Sequence, residues 1–305
     1  MKIDVFAHVM LPRFFQKMQA LDPSLTQKMP FLTHPLLTDI PLRCSQQPKD
    51  VKQIISFVNA NPEDILDKQE ALALVKEANQ ELLETLKAYP EQFLGGVAML
   101  CLSDVEGSVE IIKDFVCQHS QIVGVQLFSR HLGLSVADER FRAIFEACAK
   151  YDIPIWLHPV FDERKPDNNI VFTWEYEQTQ AMFEIVSAGY FQAFPHLKII
   201  SHHAGAMVPF FSGRIEHILP VKQAEDFKKF YVDTAILGNP KALALTIDYF
   251  GIDHVLFGTD APLGVLPSGA TELIIEAISQ LDLAQNEQKA LFSRNIERLL
   301  AGEKA

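Results

Sequence analysis

The chain has 305 residues, 48% of them hydrophobic and 22% charged, so it can bury a large core, and nothing in its composition forces a division into domains. A formal net charge of −12 gives a surface field that repels phosphate backbones, which excludes the basic footprint of a nucleic-acid-binding protein. No apolar run reaches membrane-spanning length and no basic-then-apolar leader stands ahead of the first strand, so a cytoplasmic protein without a membrane partner is expected.

In chain order, short β-branched or apolar runs predict eight strands: Lys2–Val9, Gln53–Val58, Leu94–Leu100, Ile122–Phe128, Ile153–His158, Leu197–His202, Phe230–Ala235 and His254–Thr259. Between them lie patterns such as ADERFRAIFEACAKYDI, with apolar residues three and four apart, which predict amphipathic crossover helices. This alternation fits a (β/α)8 TIM-like barrel, and a doubly wound open sheet gives a similar image. Two features favour the barrel. No G-x-G-x-x-G follows the first strand, and the polar, reactive residues gather at the C-terminal ends of several strands, where a barrel places its active site. One domain is therefore expected over 1–305, with an insertion at about 11–49 over the barrel mouth. The four cysteines, Cys44, Cys101, Cys117 and Cys148, form no C-x-x-C pair and read as reduced, buried thiols.

Four strand ends carry the chemistry. His8 ends the first strand, His158 the fifth in IPIWLHP, His203 follows the sixth in KIISHHAGAMVP, and Asp260 follows the eighth in HVLFGTDAPLG. Each alone has an ordinary structural reading, the histidines as hydrogen-bonded strand ends and Asp260 as a turn residue. Together at one mouth, His8, His158 and Asp260 can supply three ligands to a divalent ion, which leaves His203 to act on protons. Strand alternation lets only one of His202 and His203 face that mouth, the other packing outward among helices. His34, His119, His131, His196, His217 and His254 read as surface or interface residues. Arg214, in FFSGRIEHI, could hold an anionic substrate, although most helical arginines are solvated.

The segments IPIWLHP, LKIISHHAGAMVPFFSGRIEH and DHVLFGTDAP, in this order and spacing, resemble the amidohydrolase-related family grouped with 2-amino-3-carboxymuconate-6-semialdehyde decarboxylase. The resemblance implies a distorted barrel holding one divalent ion, commonly zinc, on the His-x-His of strand 1, a histidine after strand 5 and an aspartate after strand 8. These positions fall on Phe6, His8, His158 and Asp260. The family's catalytic histidine falls on His203 by its distance to P-F-F-S-G-R, and would work beside Asp260 on water or on the substrate. The family's G-R-I arginine falls on Arg214, which implies a homodimer in which it reaches the neighbouring site. GVQLFSR offers no lysine to bridge two metals, so one ion at most is expected. The departure is Phe6, which is no donor: either the remaining three ligands hold the ion with less affinity, or the ring fills its place. On this reading the chain is a metal-dependent, decarboxylase-like enzyme acting on a small muconate-like or aromatic carboxylate. The alternatives are hydrolysis of a lactone, ester or similar bond by the same residues, and a metal-free binding protein.

Overall fold

The computed structural model describes residues 1–160, 164 and 169–302. Its centre is a curled parallel sheet of β1 (Lys2–Val9), β2 (Val51–Phe57), β3 (Phe93–Ala98), β4 (Ile122–Phe128), β5 (Ile155–His158), β6 (Ile199–Ser201) and β7 (Tyr231–Val232). The strands are hydrogen-bonded in chain order, each parallel to the next. A doubly wound sheet would reverse its order at a switch point, so this order fits the TIM-like barrel. Near-continuous burial of β1 and β2 matches strands covered on both faces.

The expected eighth strand, His254–Thr259, is corrected by the structure. This segment makes only single bridges, Val255 with Val232 and Ala261 with Ala7. It still joins both sheet edges: Leu256 N donates to Val232 O at 2.8 Å, Val5 N to Phe257 O at 2.8 Å and Asp260 N to Phe6 O at 2.9 Å. The physical reason for its irregularity is local. Thr234 Oγ1 donates to Gly258 O at 2.9 Å and accepts from Gly258 N at 3.1 Å, taking the backbone groups that a ladder would use. Gly258 is required there, because a Cβ would lie 2.7 Å from Asp233 Cβ. The sixth and seventh strands also end earlier than the apolar runs suggest, and the residues beyond them turn out of the ladder.

Inside the ring, Ile3, Val5, Phe6, Ile54, Val97, Trp156, Ile200 and Leu256 form a buried plug. Trp156 crosses it and donates its indole N–H to Val5 O at 2.8 Å. Gly124 makes room for that ring, since a Cβ there would fall 2.2 Å from Trp156 Cζ3. A second, larger core lies between the sheet and the helices that cover it.

Helices packed around the sheet include α1 (Pro12–Leu21), α2 (Ile40–Gln46), α3 (Lys68–Ala88), α4 (Arg142–Tyr151), α5 (Thr173–Ser187) and α6 (Ser212–Ile218). The stretch 11–49 is largely helical. At the start of α1, the Glu81 carboxylate of α3 accepts from the amides of Arg13 and Phe14, both at 2.8 Å, which satisfies donors that a helix N-terminus leaves free. From α2, buried Arg43 donates to His8 O at 2.6 Å, to Ala261 O at 3.2 Å and to Gln53 Oε1. This segment therefore straps the end of β1 to the segment that closes the ring.

Of the cysteines, Cys101 and Cys148 are buried, Cys44 is half-buried and Cys117 is exposed, which corrects the expectation of four buried thiols; all four are unpaired. His131, read as a surface or interface residue, is buried against Glu63 at 3.0 Å. No helix among the described residues is long and apolar enough to cross a membrane.

Candidate metal centre

The ends of β1, β5 and β6 and the closing segment bring His8, His158, His202 and Asp260 together. One ligand atom from each lies within 4.8 Å of every other. His8 Nε2 is 3.1 Å from Asp260 Oδ1, and His202 Nε2 is 3.6 Å from the same oxygen. All three of these atoms are buried and have no hydrogen-bond partner among the described residues. Buried polar atoms are nearly always satisfied, so three orphans facing one point fit a shared cation. Ligands of an ion with bonds of ~2 Å stand roughly 3 to 3.5 Å apart, and the His8–Asp260 pair has that spacing.

The far side of each imidazole is fixed. His158 Nδ1 donates to Pro159 O at 2.6 Å, His202 Nδ1 donates to Asp233 Oδ2, and His8 Nδ1 lies 3.2 Å from Ser56 Oγ. Such outer partners select the tautomer and aim the other nitrogen inward. Asp233 is held in turn by the amides of Ala204 at 2.9 Å and Ala235 at 3.0 Å.

Electrostatics agree with a cation site. Burial lowers His8, and burial with the neighbouring imidazoles holds His158 well below the ordinary histidine range, so both stay neutral and able to coordinate. Burial would raise Asp260, but His202 and His8 override it and hold the carboxyl well below its usual range. Burial also opposes charge on His202; Asp233 and Asp260 prevail and push it up to about 10. The space between the two carboxylates thus calls for positive charge, which a divalent ion can supply in place of a proton.

His203 stands beside this cluster and is not one of its four members. Its ring centroid is 4.0 Å from that of His202 and 6.4 Å from that of His158. Its Nδ1 lies 2.8 Å from Glu175 Oε1 of α5. Trp174 lies 6.1 Å from His203 and 5.6 Å from His158, and Phe128 lies 5.8 Å from His158, so the imidazoles have aromatic walls. His203, Ala204 and Ala206 have positive φ, as does Asp260. Each such residue costs about 1 to 3 kcal/mol, and strain of this kind collects at functional sites.

The structure therefore brings together His8, His158 and Asp260 as the sequence suggests, with His203 adjacent. It corrects the outward placement of one histidine of the pair, because His202 enters the cluster while His203 borders it. Phe6 lies fully buried with its ring stacked on His202, centroids 3.9 Å apart. Arg214 is not brought into the site of its own chain; it is exposed on α6, beside Phe211 and Ile218. Sequence reasoning also missed Asp233 and Glu175. Asp233 could have been found by extending the strand-end search to YVDTA; nothing in the sequence places Glu175.

A ring of parallel strands with imidazoles and a carboxylate converging at their C-terminal ends is the construction of a metal-dependent barrel enzyme. The chain belongs to the amidohydrolase family, whose model matches residues 4–301, and it is an enzyme of that superfamily, of the carboxy-lyase or hydrolase type. It is 26% identical over 281 residues to 6-methylsalicylic acid decarboxylase of Penicillium expansum, covering 86% of this chain and 85% of that one. It is 27% identical over 237 residues to 2-amino-3-carboxymuconate-6-semialdehyde decarboxylase of Dictyostelium discoideum, covering 72% of this chain and 64% of that one. Its fold matches a dihydroxybenzoic acid decarboxylase from a Polaromonas species, solved with bound manganese and the inhibitor 2-nitroresorcinol, with TM-score 0.80, 19% identity and coverage of 100% and 98%.

Proposed function

We propose that the protein is a metal-dependent decarboxylase of small aromatic carboxylates, of the salicylate or dihydroxybenzoate type. The observation that carries this reading is a protonable imidazole, His203, standing next to a four-donor cluster without belonging to it. His8, His158 and Asp260 would hold one divalent ion, for which zinc suits a nitrogen-rich donor set. When bound, that ion supplies Lewis-acid charge to orient and polarise the substrate's carboxylate and its neighbouring oxygen.

The chain's own residues do the rest. Trp174 and Phe128 offer apolar surface to an aromatic ring near His158. His203, as imidazolium, gives its proton to the ring carbon that carries the carboxylate. The bond to the carboxylate then breaks, carbon dioxide leaves, and the electron pair restores the aromatic ring. Glu175 accepts from His203 Nδ1 and holds the imidazolium in place, and water replaces the proton given to the ring carbon. We also propose a homodimer through the outer face that bears Arg214, with that guanidinium directed to a substrate carboxylate in the partner's site. Four unpaired thiols suit a reducing, cytoplasmic setting.

The test is carbon dioxide release by purified, zinc- or manganese-loaded protein from 6-methylsalicylate, dihydroxybenzoates and muconate-like acids, run beside lactones and esters. Release from an aromatic acid is expected, and His203→Asn is expected to lower it at least ~100-fold while metal content stays at one ion per chain. Loaded protein that opens lactones or esters and releases no carbon dioxide would establish the hydrolase instead. Metal content that stays far below one ion per chain after reconstitution would leave a binding protein.

A further inference from the structure

We propose that His202 takes the metal-donor place which Phe6 gives up, so that the fourth ligand has moved from the first strand to the end of the sixth. This rests on the metal-dependent reading of the site and concerns which residues make it.

The two positions are in direct contact. The Phe6 and His202 rings stack with centroids 3.9 Å apart and planes inclined by 19°. A ring at residue 6 and a ring at residue 202 therefore share one side of the cluster, and in this chain only the second carries a donor. Phe6 acts as a flat wall against the His202 imidazole, while Asp233 anchors Nδ1 at its outer edge. With rotation blocked on the face and at the edge, Nε2 is left buried, unpartnered and 3.6 Å from Asp260 Oδ1. A ligand held this way loses little freedom on binding an ion.

The exchange keeps the donor count. Three imidazole nitrogens, from His8, His158 and His202, and one carboxylate oxygen, from Asp260, converge within 4.8 Å of one another. The backbone shows why this is available here. β6 ends at Ser201, and the turn at His203, with φ 55°, lets two consecutive histidines point to the same side instead of opposite sides. His202 can then serve the ion while His203 remains outside the ligand set.

The sequence alone leads to the expectation that Phe6→His tightens metal binding by restoring a lost ligand. A relocated donor gives a different pattern. In chelator competition with zinc, His202→Ala is expected to weaken binding at least ~30-fold, and Phe6→His alone to change it less than ~3-fold. The double variant Phe6→His with His202→Ala is expected to recover most of the loss, because it rebuilds a donor on the same side of the cluster. X-ray absorption on the zinc-loaded native chain needs no substitution and is expected to count three imidazoles. Two imidazoles, or native affinity in a folded His202→Ala protein whose His8→Ala counterpart loses the ion, overturns the relocation and leaves a three-ligand site. A native chain that takes up no zinc on reconstitution defeats the metal reading itself, a result distinct from either of these.

Discussion

Asp4 sits at the irregularity of β1, where the register shifts between Asp4 and Ala7, and it accepts from Phe6 N, Thr259 N, Thr259 Oγ1 and Gln53 Nε2. Burial nevertheless pushes its carboxyl up to about 7 against those bonds and the Arg43 charge. A carboxyl whose folded-state pKa lies above its unfolded value of ~4 contributes stability that is present below that value and is lost as pH rises through the folded one. Asp4→Asn keeps the shape and cannot ionise. Its stability is expected to fall less steeply than that of the native chain between about pH 4 and 7, by up to ~1.4 kcal/mol per pH unit. Urea midpoints through that window check this, and parallel profiles for the two proteins would mean that Asp4 is ionised throughout. At this scale the sequence was informative where a residue's place follows from strand spacing, as for His8, His158 and Asp260. It misassigned His202 because alternation holds only while the chain stays in the ladder, and the ladder stops at Ser201.

Among elements, the strap and the closing segment decide whether the centre holds its shape. Arg43 reaches from α2 to the carbonyls of His8, Leu36 and Ala261 and to Gln53 Oε1, all in buried surroundings. Arg43→Met fills similar space, removes both Arg43 donors from Gln53 Oε1 and leaves Ala261 O with the His8 amide alone. It is expected to destabilise the fold by about 3 kcal/mol and to weaken metal binding, since two of the carbonyls it releases belong to His8 and to Ala261, the neighbour of Asp260. Urea unfolding checks the first effect; a loss below ~1 kcal/mol would show that the strap is dispensable. The strands themselves were readable because their apolar runs are long and bounded. The irregular eighth was not, because its partner is a side chain, Thr234 Oγ1, and an apolar run says nothing of which backbone groups a hydroxyl will take. The helical path of 11–49 was likewise hidden in short helices of four to ten residues, too brief to show a period.

For the whole molecule, the surface around Arg214 stands out. Phe210 is 75% exposed, Val221 73% and Ile218 62%, on or next to α6. Large exposed apolar patches mark association surfaces, and these side chains lie close in sequence to Arg214. Under the proposed homodimer, sedimentation is expected to give a dimer for the native chain and a monomer for Phe210→Glu with Ile218→Asp, with circular dichroism unchanged. A native chain that sediments as a monomer at enzyme-assay and millimolar-range concentrations alike would remove Arg214 from the site of any neighbour.

The hydrogen bonds that close the ring join residues far apart in sequence, Asp4 to Thr259 across 255 positions, and the cluster reaches almost as far with His8 and Asp260. His8 is synthesised well before Asp260, because most of the sequence lies between them. Closing a loop of that length costs chain entropy before its contacts reward it. Under the proposed metal site, a chain cut before the closing segment keeps His8, His158 and His202 but lacks the Asp260 carboxylate that gathers them, so it is expected to take up little zinc.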